Sequence, residues 1–600
     1  MRANQSRPAR TARVVTKGLP LIGVLLAVGS HPNAYAQGNT KGSQAQSCPG
    51  AGDITLPPGF CATVFADNIG HARHMVVAPN GVVYVNTWSG RYYGNDTPPP
   101  GGFLVALQDT KGSGHADVHL RFGDSFAQGS RGGTGIAFYN GALYAEVSDR
   151  IVRYTLPAGT ITPAAPPEVV VSALPLTGDH PMHPFAIDPQ GHLYVDLGSA
   201  TNSCQVQNRT LESPGIDPCT ELETRAGTWR YDANRTGQVF SPAERYATGI
   251  RNGEGFAFDA AGALYVTMHG RDQLSENWPK LYRPEEGPQL PAEELLRVVQ
   301  GADYGWPECY FDGPQQRLVL APEYGGDGGK MIGPCAQKQP PIASFPAHWA
   351  PNALAIYSGQ QFPDAYRGGA FIAFHGSWNR APYPQGGYNV VFQPLADGRP
   401  SGSFVVFADG FAGAVKEPGQ AAHRPSGLAV GPKGELYISD DAHGRIWQVT
   451  FHGDIASTQV AAAPPPAART TRLGGDDVGP PEGIHPNAGA EATLPIPPGA
   501  TAAQVALGAR VFHGEAGGGT CAGCHGSDAR GTPLAPNLTG GKWLWGDGSL
   551  ASIARTIDDG VPNPKDYRSP MPPKGGAQLS NDDVHAVAAY VWALGHQAAR

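Results

Sequence analysis

Phe185-Ala186-Ile187-Asp188-Pro189-Gln190-Gly191-His192-Leu193-Tyr194-Val195 reads as two short apolar strands folded across a glycine turn. The second half of the phrase returns along the chain. It stands at Pro79-Asn80-Gly81-Val82-Val83-Tyr84-Val85, Asn140-Gly141-Ala142-Leu143-Tyr144-Ala145, Ala261-Gly262-Ala263-Leu264-Tyr265-Val266 and Pro432-Lys433-Gly434-Glu435-Leu436-Tyr437-Ile438. A degenerate sixth copy is Arg367-Gly368-Gly369-Ala370-Phe371-Ile372-Ala373-Phe374. One hairpin repeated irregularly means repeated small sheets, and the radial arrangement of four-stranded sheets is a propeller. Six copies predict an all-β six-bladed β-propeller over residues 55–452. The blades are long for the number of strands, so loops are expected to decorate one face.

Outside this region the composition changes. The first 36 residues carry Arg2, Arg7, Arg10, Arg13 and Lys17, then an apolar run from Leu19 to Val28 too short to span a bilayer, then Ala34-Tyr35-Ala36. This predicts a signal peptide over 1–36, a polar leader over 37–54 and a periplasmic protein without a membrane span. Residues 453–498 are rich in Pro and Ala and predict an extended linker. Residues 499–600 show helical periodicity, with helices expected at Ala502 to Phe512 and, capped by Ser580, from Val584 to Leu594. A net charge of -8 with no basic stripe argues against nucleic acid as a partner. Six of the eight cysteines fall in close pairs, Cys48/Cys61, Cys204/Cys219 and Cys309/Cys335, which favours three local disulfides in an oxidising compartment.

The other two cysteines lie in Cys521-Ala522-Gly523-Cys524-His525, the C-x-x-C-H signature of covalent haem attachment. Cys521 and Cys524 would form the thioethers and His525 one axial ligand of the iron. For the second ligand, Met571 is the only methionine in this region and stands among prolines (Pro570, Pro572, Pro573). His513, His585 and His596 compete, but none lies in an extended loop. The region resembles class I cytochromes c, and that resemblance implies that the Pro536 carbonyl orients His525. Methionine ligation suits an electron acceptor.

A haem needs an electron donor. No G-x-G-x-x-G unit opens a helix after a strand, so a Rossmann nicotinamide or flavin site is not supported. Polar clusters do flank the blade strands: Asp179-His180-Pro181-Met182-His183, Arg251-Asn252-Gly253-Glu254, His269-Gly270-Arg271-Asp272, Tyr304-Gly305-Trp306-Pro307, His375-Gly376-Ser377-Trp378-Asn379-Arg380 and His423-Arg424-Pro425. Basic, imidazole and indole groups at a propeller mouth would suit a planar polyanion.

These phrases resemble the glucose/sorbosone dehydrogenase family of soluble quinoproteins, in its sorbosone dehydrogenase branch, over about 170–451 and more weakly back to 55. The resemblance implies pyrroloquinoline quinone (PQQ) and calcium on the propeller, and oxidation of a sugar or sugar aldehyde. By the same resemblance His180 is the general base, with His183 its competitor. Arg251 and Asn252 sit at PQQ, Arg251 also acting in catalysis. Arg424 and Arg380 grip PQQ carboxylates. Gly270 and Arg271 offer backbone carbonyls to calcium. Glu254 stands where glucose dehydrogenases have Gln, which leaves the substrate open. Electrons would leave through the haem to an external acceptor such as a cytochrome, an oxidase or the quinone pool. Two other readings are a calcium-dependent lactonase, which needs Asp, Asn and Glu side chains converging on a metal, and a non-catalytic sugar-binding propeller.

Overall fold

In a computed structural model of the chain, each of the six glycine turns joins the first two strands of a separate sheet. Gly81, Gly141, Gly191, Gly262, Gly368 and Gly434 all have φ between 72° and 90°, a conformation a side chain resists, so the repeat is a repeat of turn geometry. The structure describes residues 53–87, 100–123, 133–377, 379–380, 383–416, 421–456, 459–463, 494–512, 521–525, 529, 531, 535–567, 571–577 and 579–596. The expected signal peptide, most of the leader, Cys48, most of the linker and His513 lie outside them.

The sheets follow chain order. The first blade is Ala72–Val77, Val83–Thr87, Leu104–Gln108 and Val118–Phe122. The second holds Ile136–Tyr139, Ala142–Val147, Arg150–Thr155 and Glu168–Ser172, with Gln238–Val239 added in parallel. The third is Phe185–Ile187, His192–Leu197, Gly227–Asp232 and Arg245–Thr248, and the fourth Gly253–Phe258, Leu264–Met268, Glu293–Val298 and Ala343–Phe345. The fifth is Pro351–Ile356, Ala370–Phe374, Asn389–Gln393 and Val405–Ala408. The sixth takes Pro425–Val430, Leu436–Asp440 and Ile446–Phe451, and is completed by Phe60–Ala66 from the other end of the propeller sequence.

The first strands of neighbouring blades touch in sequence, the sixth returning to the first, so the ring closes around a central channel. The closing strand is held by packing as well as pairing. Phe60 meets Phe362, Tyr366, Phe407 and Phe451 with ring centroids 4.7–5.3 Å apart. Each such aromatic pair adds roughly 0.5–1.5 kcal/mol to the area it buries.

Strand direction places the loops. Adjacent strands within a blade are antiparallel, so the glycine turns (first to second strand) lie at one end of the ring. Links from second to third strand, and from the fourth strand to the next blade, lie at the other. Two disulfides brace long connectors: Cys204–Cys219 between the second and third strands of the third blade, and Cys309–Cys335 in an insertion of the fourth.

Residues 494–596 form helices Ala502–Phe512, Cys521–His525, Leu550–Asp559 and Asn581–Gly595. Ser580 caps the last in a capping box with Asp583. The first and last helices cross at Gly508, where a Cβ would lie 1.9 Å from the Ala586 carbonyl oxygen, and Phe512 packs on Tyr590 at 5.4 Å. Among the described residues no helix is long and apolar enough to cross a membrane.

Candidate active site and haem pocket

All the candidate propeller residues fall on connectors at the end opposite the glycine turns. His180 precedes the third blade and Arg251 and Asn252 precede the fourth. Gly270 and Arg271 follow the second strand of the fourth blade, Arg380 that of the fifth, and Arg424 precedes the sixth.

His180 is buried. Its Nδ1 lies 2.9 Å from the Ser199 carbonyl oxygen and 3.0 Å from Ser199 Oγ. A carbonyl only accepts, so Nδ1 carries the proton and Nε2 keeps its lone pair. Burial, then the Arg251 guanidinium, push its pKa well below the ordinary value, so the ring is neutral. His183 differs: its Nδ1 is 3.2 Å from Glu146 Oε1 and its Nε2 2.8 Å from the Pro175 carbonyl oxygen. Both of its nitrogens hold structure together.

Arg251 is buried and fully engaged. Nη1 donates to the Gly270 carbonyl at 2.8 Å, Nε to the Asn202 carbonyl at 3.0 Å, and Nη2 to Asn202 Oδ1 at 2.9 Å and Asp272 Oδ2 at 3.1 Å. Asp272 also pairs with Arg209, which reaches Asp179 at 2.9 Å, next to His180. The Arg251 and Arg209 guanidiniums outweigh burial and hold the Asp272 carboxyl well below the usual range. Arg424 Nη2 donates to the Gly376 carbonyl at 2.6 Å, and its guanidinium lies 5.9 Å from the Tyr388 ring centre. Arg271 pairs with Glu323. Arg380 is tied to the carbonyls of Pro384, Ala347 and Pro288, so its head braces loops.

The structure adds Arg73 and Asp441, which the sequence did not single out, and joins them to His375 and Glu254, which it did. His375 Nε2 lies 2.7 Å from Asp441 Oδ1, and Asp441 Oδ2 lies 2.8 Å from Arg73 Nη1. Arg73 Nη2 is 3.8 Å from Glu254 Oε2. Arg73 comes from the innermost strand of the first blade, where the hairpin pattern asks for an apolar residue; that mismatch was the available signal.

The mouth suits a planar polyanion. His269 Nε2 is buried with no hydrogen-bond partner among the described residues, in a neighbourhood shared with Arg251 and His375. An acceptor oxygen would satisfy a proton on that nitrogen, so the donor set fits PQQ. For calcium the fit is partial. Backbone carbonyls are the right donor type for a hard cation, but the Gly270 oxygen accepts from Arg251 Nη1, so a cation and this hydrogen bond compete for it. Among the described residues no group of three or more His, Cys, Asp or Glu side chains is arranged to hold a metal, which is what the lactonase reading requires.

A family model described as TrAA12-like matches residues 54–452, two thirds of the chain. The chain belongs to the TrAA12-like family. A cytochrome c model matches residues 505–595 of this TrAA12-like chain, which therefore carries a cytochrome c domain. The PQQ domain of pyranose dehydrogenase from Coprinopsis cinerea superposes with a TM-score of 0.51 at 18% identity, covering 67% of this chain and 99% of that one, a likeness of fold. An uncharacterised protein of Borreliella burgdorferi is 27% identical over 211 residues, 35% of this chain and 49% of that protein. A cbb3-type cytochrome c oxidase subunit, FixP of Rhizobium etli, is 46% identical over 77 residues, 12% of this chain and 26% of that protein. The TrAA12-like chain thus spans about half the length of the first relative and a quarter of the second.

In the cytochrome c domain, Cys521, His525 and Met571 line one pocket, walled by Phe512, Ile553, Val587 and Trp543. His525 Nδ1 lies 3.0 Å from the Pro536 carbonyl oxygen, which places the proton on Nδ1 and leaves Nε2 with its lone pair. Met571 is fixed by two backbone hydrogen bonds with Val561, at 2.8 and 3.0 Å. Of its competitors, His585 is exposed and His596 stacks on Trp592 at 3.8 Å. The pocket fits haem: it is apolar and presents an imidazole, a thioether and the Cys521 thiol together.

Proposed function

We propose that the chain is an exported, periplasmic PQQ-dependent dehydrogenase that oxidises a sugar or sugar aldehyde and passes the electrons through its own haem to an external acceptor. The observation that carries this reading is His180: a buried, neutral imidazole with Nε2 unprotonated, beside a buried guanidinium, in a chain that also carries a cytochrome c domain.

PQQ, when bound, would supply the quinone carbon that accepts a hydride. His180 Nε2 takes the substrate hydroxyl proton, while the Nδ1 hydrogen bond to Ser199 fixes the ring. Arg251 stabilises negative charge that develops at the mouth, and its burial makes that charge effective. Arg424 and Asn252 would hold the cofactor with Arg251, as would His269. Arg380 supports the rim. No step is assigned to calcium, which would take the carbonyls of Gly270 and Arg271. His525 and Met571 would ligate the haem iron, and Cys521 and Cys524 would anchor the ring.

The test uses the purified full chain, PQQ and an artificial electron acceptor, with a panel of aldoses, ketoses, sugar aldehydes and lactones. Acceptor reduction that requires both PQQ and a sugar or aldehyde is expected. Lactone hydrolysis without redox change, or failure to bind PQQ, would overturn the reading.

A further inference from the structure

The phrase Tyr304-Gly305-Trp306-Pro307 has no task in the function proposed above, and its indole supplies one. Trp306 is buried, and its Nε1 donates to the Asn202 carbonyl at 3.1 Å. The same carbonyl accepts from Arg251 Nε at 3.0 Å. One oxygen thus carries two donors, one from the insertion of the fourth blade and one from the buried guanidinium.

The Asn202 side chain, fully buried, holds the guanidinium a second time. Its Nδ2 donates to the Asp272 carbonyl at 2.9 Å, and its Oδ1 accepts from the Asp272 amide at 2.8 Å. A carbonyl only accepts and an amide N–H only donates, so these partners fix which way round the carboxamide sits. Oδ1 has a second lone pair, and it takes Arg251 Nη2 at 2.9 Å. Asp272, clamped in this way, takes Nη2 through Oδ2 at 3.1 Å.

A guanidinium has five N–H groups in one rigid plane. In Arg251, Nε gives its one to Asn202, Nη2 gives one each to Asn202 and Asp272, and Nη1 gives one to the Gly270 carbonyl at 2.8 Å. Among the described residues this leaves a single N–H, on Nη1, for a ligand. Held at both Nε and Nη2, the plane cannot turn. Asn202 is itself fixed from outside the site. Its amide donates to Asn208 Oδ1 at 3.0 Å, and the amides of Ala200 and Thr201 before it donate to Glu221 Oε2 at 2.7 and 3.1 Å. The Cys204–Cys219 disulfide, two residues further on, packs with Trp306.

We propose, resting on the dehydrogenase reading, that Asn202 is the positioning residue for Arg251 and that Trp306 keeps Asn202 in place. Together they aim the one remaining N–H of the guanidinium at the anionic cofactor.

The test is a double-mutant cycle in the full chain. PQQ affinity is measured by fluorescence titration of wild type, Asn202→Ala, Arg251→Ala and the double variant, each checked for folding by circular dichroism. Asn202→Ala is expected to raise the Kd for PQQ roughly 10–100-fold, the effect of losing a hydrogen bond to a charged group. In the Arg251→Ala background the same change should move the Kd less than about twofold, because no guanidinium is left to aim. With PQQ saturating, haem reduction by sugar should slow roughly 10-fold in Asn202→Ala while KM for sugar stays within about twofold, since Arg251 acts on charge that develops in the transition state. A residue that only braces its loop would lower the thermal midpoint and leave the Kd and limiting rate of the folded protein at wild-type values. That result would overturn the assignment, as would losses that add in the double variant. Should Asn202→Ala or Arg251→Ala not fold, Trp306→Phe decides, because it keeps an aromatic ring and deletes the one donor. A raised Kd supports the assignment, and an unchanged one overturns it. A wild-type chain that binds no PQQ overturns the dehydrogenase reading as well.

Discussion

At the scale of single residues, the two histidines of the Asp179–His183 segment separate by what their ring nitrogens do. His180 spends one nitrogen and His183 spends two, one of them on the buried carboxylate of Glu146. His180→Ala is expected to lower the rate of sugar oxidation by roughly 100-fold or more while leaving PQQ affinity within a few-fold, measured by stopped-flow and by PQQ titration. Stability should report the buried carboxyl of Glu254. Its pKa is raised from 4.5 to about 7, so the folded state binds the extra proton between those values. The stability this contributes is complete below about pH 4.5 and is lost as pH rises through about 7. Relative to Glu254→Gln, wild type should therefore lose about 3 kcal/mol between pH 4 and pH 8 in urea unfolding followed by tryptophan fluorescence. Equal pH slopes in the two proteins would contradict the raised pKa. Cys521, Cys524, His525, Met571, Arg251 and Asn252 stood out as candidates in the sequence because each sits in a local phrase. Arg73, Asp441 and Glu254 act as a group only because three blades meet at one channel, and no local phrase records that.

At the scale of elements, the turns were legible and the closure was not. A positive-φ glycine followed by an apolar strand is a short-range signal, and it marked all six blades. Phe60–Ala66 pairs with Ile446–Phe451 across almost the whole propeller sequence, a contact set by packing. Phe60 is the anchor of that closure. Phe60→Ala should cost roughly 3–5 kcal/mol, seen as a lower denaturation midpoint for the propeller with the haem spectrum unchanged. A change below 1 kcal/mol would mean that the ring closes without this strand. The long connectors were likewise expected only as loops. The structure shows that they carry the disulfides and the Glu323 carboxylate that pairs with Arg271. Loops of 15 and 26 residues closed by such bridges stabilise by about 3 kcal/mol each. Cys309→Ser is accordingly expected to lower the propeller's thermal midpoint and weaken PQQ binding together.

At the scale of the whole molecule, the account joins two chemistries that neither domain performs alone: two-electron oxidation at the propeller mouth and one-electron transport at the haem. A domain that matches cytochrome c over residues 505–595 is covalently continuous with a TrAA12-like propeller, and on the proposed function its haem is the first acceptor of the electrons. The most direct measurement is anaerobic rapid mixing of the full chain, loaded with PQQ, with sugar, following haem absorbance at several protein concentrations. The account predicts haem reduction that requires PQQ and sugar, disappears in His180→Ala and proceeds at a rate independent of protein concentration. A haem that stays ferric while sugar is consumed, or a rate that rises with protein concentration, would contradict transfer within the chain.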